Sequence, residues 1–164
     1  RENEVQFVVN VGDNLYPAGF ESPEDPLWKV VFEDRYADAS LQVPWLSALG
    51  NHDWGGFDCY MRDGRLYRGD AQVGYDTEPN WTWPQSKATR WVMPAEYYKK
   101  RIEFGDTTMD IFVVSTHWAD EAEVCGQDRY AQRRCDAQAC FSVVRNMADT
   151  MWNWLEVELP ASDA

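Results

Sequence analysis

At 164 residues the chain is one domain or a piece of one. Its formal net charge of −13 argues against a nucleic-acid backbone or an anionic membrane surface as partner, and no stretch is apolar for long enough to span a membrane. The same charge means that an anionic substrate would not be steered by the protein as a whole, so any attraction must be local, with bound metal ions as its natural source.

Nearly half the residues are hydrophobic and nine are tryptophan, so a core can form. The polar residues 1–4 precede an apolar, valine-rich run, Val5 to Val11, which reads as a buried strand. It stops at Gly12 and delivers a carboxylate, Asp13, with the phenol of Tyr16 close behind; ligands of open α/β sheets sit just beyond such strand ends. After a loop, Ser22-Pro23-Glu24-Asp25-Pro26 is a helix-start signal, and the spacing predicts a helix from about Pro26 to Ala37, its aromatic stripe of Trp28, Phe32 and Tyr36 facing the core. A second apolar run, Val43 to Leu49, breaks at Gly50 and delivers Asn51-His52-Asp53. Asn51 lies 38 residues after Asp13, a spacing that suits a βαβ unit with both strand ends on one sheet edge.

Cys59 to Pro84 has no clear periodicity and reads as a long loop with room for a short helix, ending in Trp81-Thr82-Trp83-Pro84. Tyr98 to Phe104 and Met109 to Ser115, joined at Gly105-Asp106, predict a hairpin, with Lys99-Lys100-Arg101 as a solvated stretch. Thr116 to Asp120 closes the second strand, and a polar loop runs to Gln138. From about Ser142 the recurrence of Val144, Met147, Met151, Leu155 and Leu159 predicts a final helix, stopped by Pro160. The four cysteines, Cys59, Cys125, Cys135 and Cys140, contain no Cys-x-x-Cys pair, which disfavours a structural zinc site and favours two disulfides in an oxidising compartment. Three connectivities remain open. The chain begins at Arg1 with no signal peptide, and is expected to be cut at both ends.

Two buried strands that each deliver glycine and then oxygen or nitrogen donors are the skeleton of a metal site. Gly12-Asp13-Asn14 with Tyr16, followed by Gly50-Asn51-His52-Asp53, resembles the calcineurin-like metallophosphoesterases, and within them the purple acid phosphatases, nearest to the tartrate-resistant type. The tyrosine three residues after the aspartate marks the purple branch. The likeness continues through Trp28, Phe32-Glu33-Asp34, Val43-Pro44-Trp45, Arg90-Trp91, Pro94 and Tyr97-Tyr98, from Val5 to about Leu159. It implies an α/β fold, part of an αββα sandwich with a βαβ metal-site core, as a single incomplete domain over 1–164. It also implies hydrolysis of phosphomonoesters, on a small molecule or a phosphoprotein, in a secreted or lysosomal-type compartment. The implied centre pairs Fe(III) with a divalent metal (Fe, Zn or Mn). Asp13 would bridge the two metals, Tyr16 hold iron and Asn51 hold the divalent ion. His52 would be catalytic, orienting phosphate and assisting the leaving oxygen, and Asp53 would orient a neighbour or cap the next turn.

Each residue taken singly has a plainer use. Asp13 can cap a turn, Tyr16 can pack under its loop, Asn51 suits a left-handed turn, and His52 can be a satisfied semi-buried histidine. Jointly, at two strand ends in family order, they favour the site. His117 departs from the pattern: where the family has an aspartate-threonine pair, this chain has Ser115-Thr116-His117, and it reads as a loop histidine without a metal role, a pocket-facing place being the alternative. The resemblance further implies an upstream aspartate ligand and downstream histidine ligands. With only two histidines the chain is expected to be the middle of a longer enzyme and inactive alone. The reading from another class is a non-catalytic phosphatase scaffold that binds glycan or a protein partner through the tryptophan-rich stretch Trp81 to Trp91.

Overall fold

A computed structural model describes residues 5–56, 58–75, 90–120, 124–125 and 135–164. The architecture is mixed α and β. Strands β1 (Val8–Asn10), β2 (Trp45–Ser47) and β5 (Trp91–Val92) form a parallel sheet in the order β1-β2-β5. Val8, Val9 and Asn10 pair with Trp45, Leu46 and Ser47, so the two glycine-terminated strands end side by side. A short hairpin, β3 (Met61–Arg62) and β4 (Arg65–Leu66), leads into helix α1 (Tyr67–Tyr75). Strands β6 (Tyr98–Phe104) and β7 (Thr107–Val113) form the expected hairpin, and helix α2 spans Ala137–Glu158. No helix among the described residues is long and apolar enough to cross a membrane.

The β1–β2 pairing bears out the parallel βαβ unit, and three details differ from the sequence expectation. First, among the described residues β1 stands at the edge of its sheet and is not buried, with Val9 53% and Val11 84% exposed. Second, the predicted Pro26–Ala37 helix is present but shorter, helical over residues 27–33, and its Lys29–Glu33 part is a wide turn in which the Asp34 amide bonds back five residues to the Lys29 carbonyl. Asp38 then accepts the Ser40 amide and starts a separate turn, Ala39–Leu41. Third, α2 starts five residues before Ser142, because Asp136 accepts the Ala139 amide at 2.7 Å and Cys140 extends the buried stripe of Val144 and Met151. The loop predicted after Cys59 contains β3, β4 and α1.

The core explains why the crossover holds. Trp28 is sandwiched between Phe20 and Tyr75, each ring 3.7 Å away and parallel to it, while Phe32 meets Trp45 and Trp91 edge-on. Beneath them Glu33 and Arg90 form a buried pair at 3.0 Å; the Tyr75 hydroxyl donates to Glu33 at 2.9 Å, and Arg90 also donates to the Tyr36 carbonyl at 2.7 Å. With each charge hydrogen-bonded, this network ties the crossover turn to α1 and β5. Trp91 is 1% exposed and belongs to this core, so it is no part of a binding platform; Trp81 and Trp83 lie outside the described residues.

The expected disulfides are Cys59–Cys135 and Cys125–Cys140, with Cα–Cα distances of 5.8 and 5.6 Å. They tie the turn after Asp53 and the segment after β7 to the start of α2.

Candidate metal centre

The two strand ends touch because they carry glycine. A Cβ on Gly12 would lie 2.5 Å from the Gly50 amide nitrogen, and a Cβ on Gly50 would lie 2.3 Å from Asp13 Oδ1. Asp13 itself adopts a left-handed backbone at φ 56°, a conformation aspartate tolerates better than most residues. Its carboxylate is held from both loops: Oδ1 accepts the His52 amide at 3.2 Å and Oδ2 accepts the Tyr16 hydroxyl at 2.5 Å.

Tyr16 is exposed rather than packed under its loop, and its ring leans on His52 with centroids 4.1 Å apart. The bond to Asp13 is the main reason its phenol is held above its ordinary value. His52 Nδ1 donates to the Pro17 carbonyl at 2.6 Å, which places the neutral ring's lone pair on Nε2. Gly56 leaves room for this ring, since a Cβ there would lie 2.9 Å from Nδ1. Asn51 has a right-handed backbone, φ −65°, so the left-handed turn does not account for it. Asp13 and Asn51 open onto one cleft of about 450 Å³, walled by Val11, Leu49, Val114 and Thr116 and also by His117. The structure thus brings Asp13, Tyr16 and His52 into direct contact and sets Asn51 on the same cleft as Asp13.

Asp53 is the clamp beneath them. Fully buried, it accepts the Asn14 and Gly50 amides, both at 2.8 Å, and Gln72 Nε2 at 2.6 Å, with longer bonds from the Leu15 amide and Asn14 Nδ2. Burial pushes its carboxyl up, the donors from Gly50, Gln72 and Asn14 oppose this, and the charge of Asp13 adds to it. Gln72 also accepts from Asn14 Nδ2 at 2.9 Å, closing a network over both loops and α1. Gln72 had no signal in the sequence beyond its place beside Ala71 and Tyr75 on the buried side of a short helix.

His117 faces the cleft, as its alternative reading allowed. The Ser115 hydroxyl donates to the Leu49 carbonyl at 2.9 Å and so accepts from His117 Nδ1. The ring stacks on Trp54 at 5.1 Å, and burial lowers its pKa well below 6.5, keeping it neutral. Ser115 and Trp54 were not singled out by sequence.

The donor set fits hard metal ions. Carboxylate, phenol and amide all offer oxygen ligands, and those of Asp13 and Tyr16 are in direct contact.

No protein-family model matches the chain. Over 158 residues it is 27% identical to tartrate-resistant acid phosphatase type 5 of Mus musculus, covering 95% of this chain and 40% of that protein. The Oryctolagus cuniculus protein of the same name is 29% identical over 121 residues, 73% of this chain and 30% of the relative. Purple acid phosphatase 4 of Arabidopsis thaliana is 46% identical over 55 residues, 34% of this chain and 16% of the relative. The chain therefore spans two fifths or less of the length of these curated relatives. It is similar to the purple and tartrate-resistant acid phosphatases, as its two strand-end motifs indicate.

Proposed function

We propose that these residues form part of a phosphomonoesterase of the purple acid phosphatase type, with Asp13, Tyr16 and Asn51 as metal ligands and His52 as the group that assists the leaving oxygen. The observation that carries this reading is the convergence of Asp13, Tyr16 and His52 at two adjacent strand ends, held by the buried Asp53. The parallel sheet would be part of the αββα sandwich of that family, in a secreted or lysosomal-type protein, which the two disulfides suit.

Asp13 would bridge Fe(III) and a divalent ion, Tyr16 would bind the iron and Asn51 the divalent ion. Such a pair supplies Lewis-acid activation of a phosphate ester and of water. The protein's own groups prepare for it. The Tyr16 hydroxyl donates to Asp13, which sets the phenol oxygen beside the carboxylate although its proton must leave before it can act as a ligand, and the His52 amide fixes the orientation of the carboxylate. The Pro17 carbonyl pins His52 Nδ1, so proton uptake and release fall to Nε2, the atom suited to protonate a leaving alkoxide. Three donors do not fill two coordination spheres. The remaining ligands would come from flanking sequence, and the 164-residue chain alone is expected to be inactive.

The test is metal analysis, visible absorption and phosphate release on the protein translated from the whole transcript. Iron with a visible phenolate band that Tyr16→Phe abolishes is the expected result. A protein with phosphate release but neither iron nor band would lose the purple assignment and become a Mn- or Zn-dependent phosphoesterase.

A further inference from the structure

The two disulfides meet at the start of α2. The Sγ atoms of Cys59, Cys135 and Cys140 all lie within 4.8 Å of one another, although they belong to two different bridges. Cys59 and Cys140 are buried, whereas Cys135 is half-buried, so an outside reagent reaches the trio at Cys135. Thiol–disulfide exchange requires a thiolate that can reach a disulfide sulfur, and an internal attack between neighbouring sulfurs needs no access from solvent.

We propose that the four cysteines form one exchangeable unit, entered by a low-molecular-weight thiol at Cys135 and rearranged to a Cys59–Cys140 bridge. In the first step the incoming thiolate attacks Cys135 Sγ. A mixed disulfide forms there, the Cys59–Cys135 bond breaks, and Cys59 leaves with the electron pair as a thiolate. In the second step Cys59 attacks Cys140 Sγ, its neighbour in the cluster. The Cys59–Cys140 bond forms, the Cys125–Cys140 bond breaks, and Cys125 leaves as a thiolate that takes a proton from water. Two disulfide bonds are present before and after, so nothing is oxidised or reduced overall. One external thiol is taken up on Cys135.

The exchange keeps the turn after Asp53 tied to α2 and frees Cys125. His117 and Ala119, shortly before Cys125, line the cleft of Asp13 and Asn51. The rearrangement therefore removes the disulfide link between the segment that follows this wall and α2, and leaves the turn after Asp53 anchored.

The experiment treats the oxidised protein with limiting reduced glutathione, quenches in acid with N-ethylmaleimide, and maps the bridges by peptide mass spectrometry. The expected product carries a Cys59–Cys140 bridge, glutathione on Cys135 and maleimide on Cys125. Glutathione on Cys135 with Cys125–Cys140 intact and maleimide on Cys59 would overturn the proposal, and so would an unreactive Cys135. A Cys135→Ser variant gives Cys59 as a thiol from the outset. It should show the Cys59–Cys140 bridge without added thiol, and retention of Cys125–Cys140 alone would count against the exchange.

Discussion

Replacing Asp53 by asparagine tests whether one carboxylate locks the two strand-end loops together. Its Oδ1 accepts from the Asn14 amide, the Leu15 amide and Gln72 Nε2, and its Oδ2 from the Gly50 amide and Asn14 Nδ2. Asparagine keeps one acceptor oxygen and turns the other position into an NH2 donor. With the oxygen on the side of the three donors, the NH2 confronts the Gly50 N–H and Asn14 Nδ2. Two hydrogen bonds to a charged acceptor are lost, at about 1.5–3 kcal/mol each. A neutral amide is cheaper to bury than a carboxylate whose own pKa burial has raised, which offsets part of that loss. The net destabilisation should be about 3 kcal/mol. Urea unfolding of the two proteins measures it as a shift in midpoint at constant slope. A loss below about 1 kcal/mol would show that the loops hold without the clamp and would refute the reasoning.

Gly50→Ala places a methyl 2.3 Å from Asp13 Oδ1 and 2.6 Å from the Asp13 backbone nitrogen, where the backbone cannot yield. Metal uptake, read by titration calorimetry, should weaken about tenfold or more, the scale on which misplaced ligands act, while far-ultraviolet circular dichroism is retained. Gly56→Ala puts its methyl on the His52 ring and adds a Cβ at φ 62°; in the complete enzyme it should cut phosphate release by roughly 10²–10⁴, the contribution of a general acid, with metal content unchanged. Glu96 supplies the pH prediction. Burial, with the Asp70 charge adding and Arg65 opposing, pushes its carboxyl up to about 7. The folded state therefore holds this proton more tightly than the unfolded one, and stability falls as pH rises from about 4.5 to about 7. From those values, Glu96→Gln should remove about 3 kcal/mol of that decline, and thermal melts of both proteins across this range give the slopes to compare.

The strand ends were legible because their signals are local. An apolar run, a glycine and then polar donors occur within a few consecutive residues at both Gly12-Asp13 and Gly50-Asn51. The hairpin of β6 and β7 was legible for the same reason, with alternation on either side of Gly105-Asp106. What escaped depends on contacts distant in sequence. Gln72 matters because α1 packs under Asp53, 19 residues earlier, and nothing near Gln72 announces it. Strand β5 has two residues, too few for any period to register. The pairing of the cysteines is likewise set by where α2 docks, so an even count implied bridges and left the partners open.

The electrostatics of the cleft give the order in which its occupants must arrive. Phosphate monoesters are anions, and the protein carries a formal charge of −13. Among the described residues lining the cleft there is no lysine or arginine, Asp13 supplies a carboxylate, and His117 is held neutral by burial. No side chain in that lining carries a positive charge to attract phosphate. Hard cations invert the sign of the field at the place where Asp13 and Tyr16 converge. Under the proposed function, substrate affinity therefore depends on prior metal loading. That dependence also makes a chain of strongly acidic net charge compatible with an anionic substrate, because attraction is confined to the loaded site.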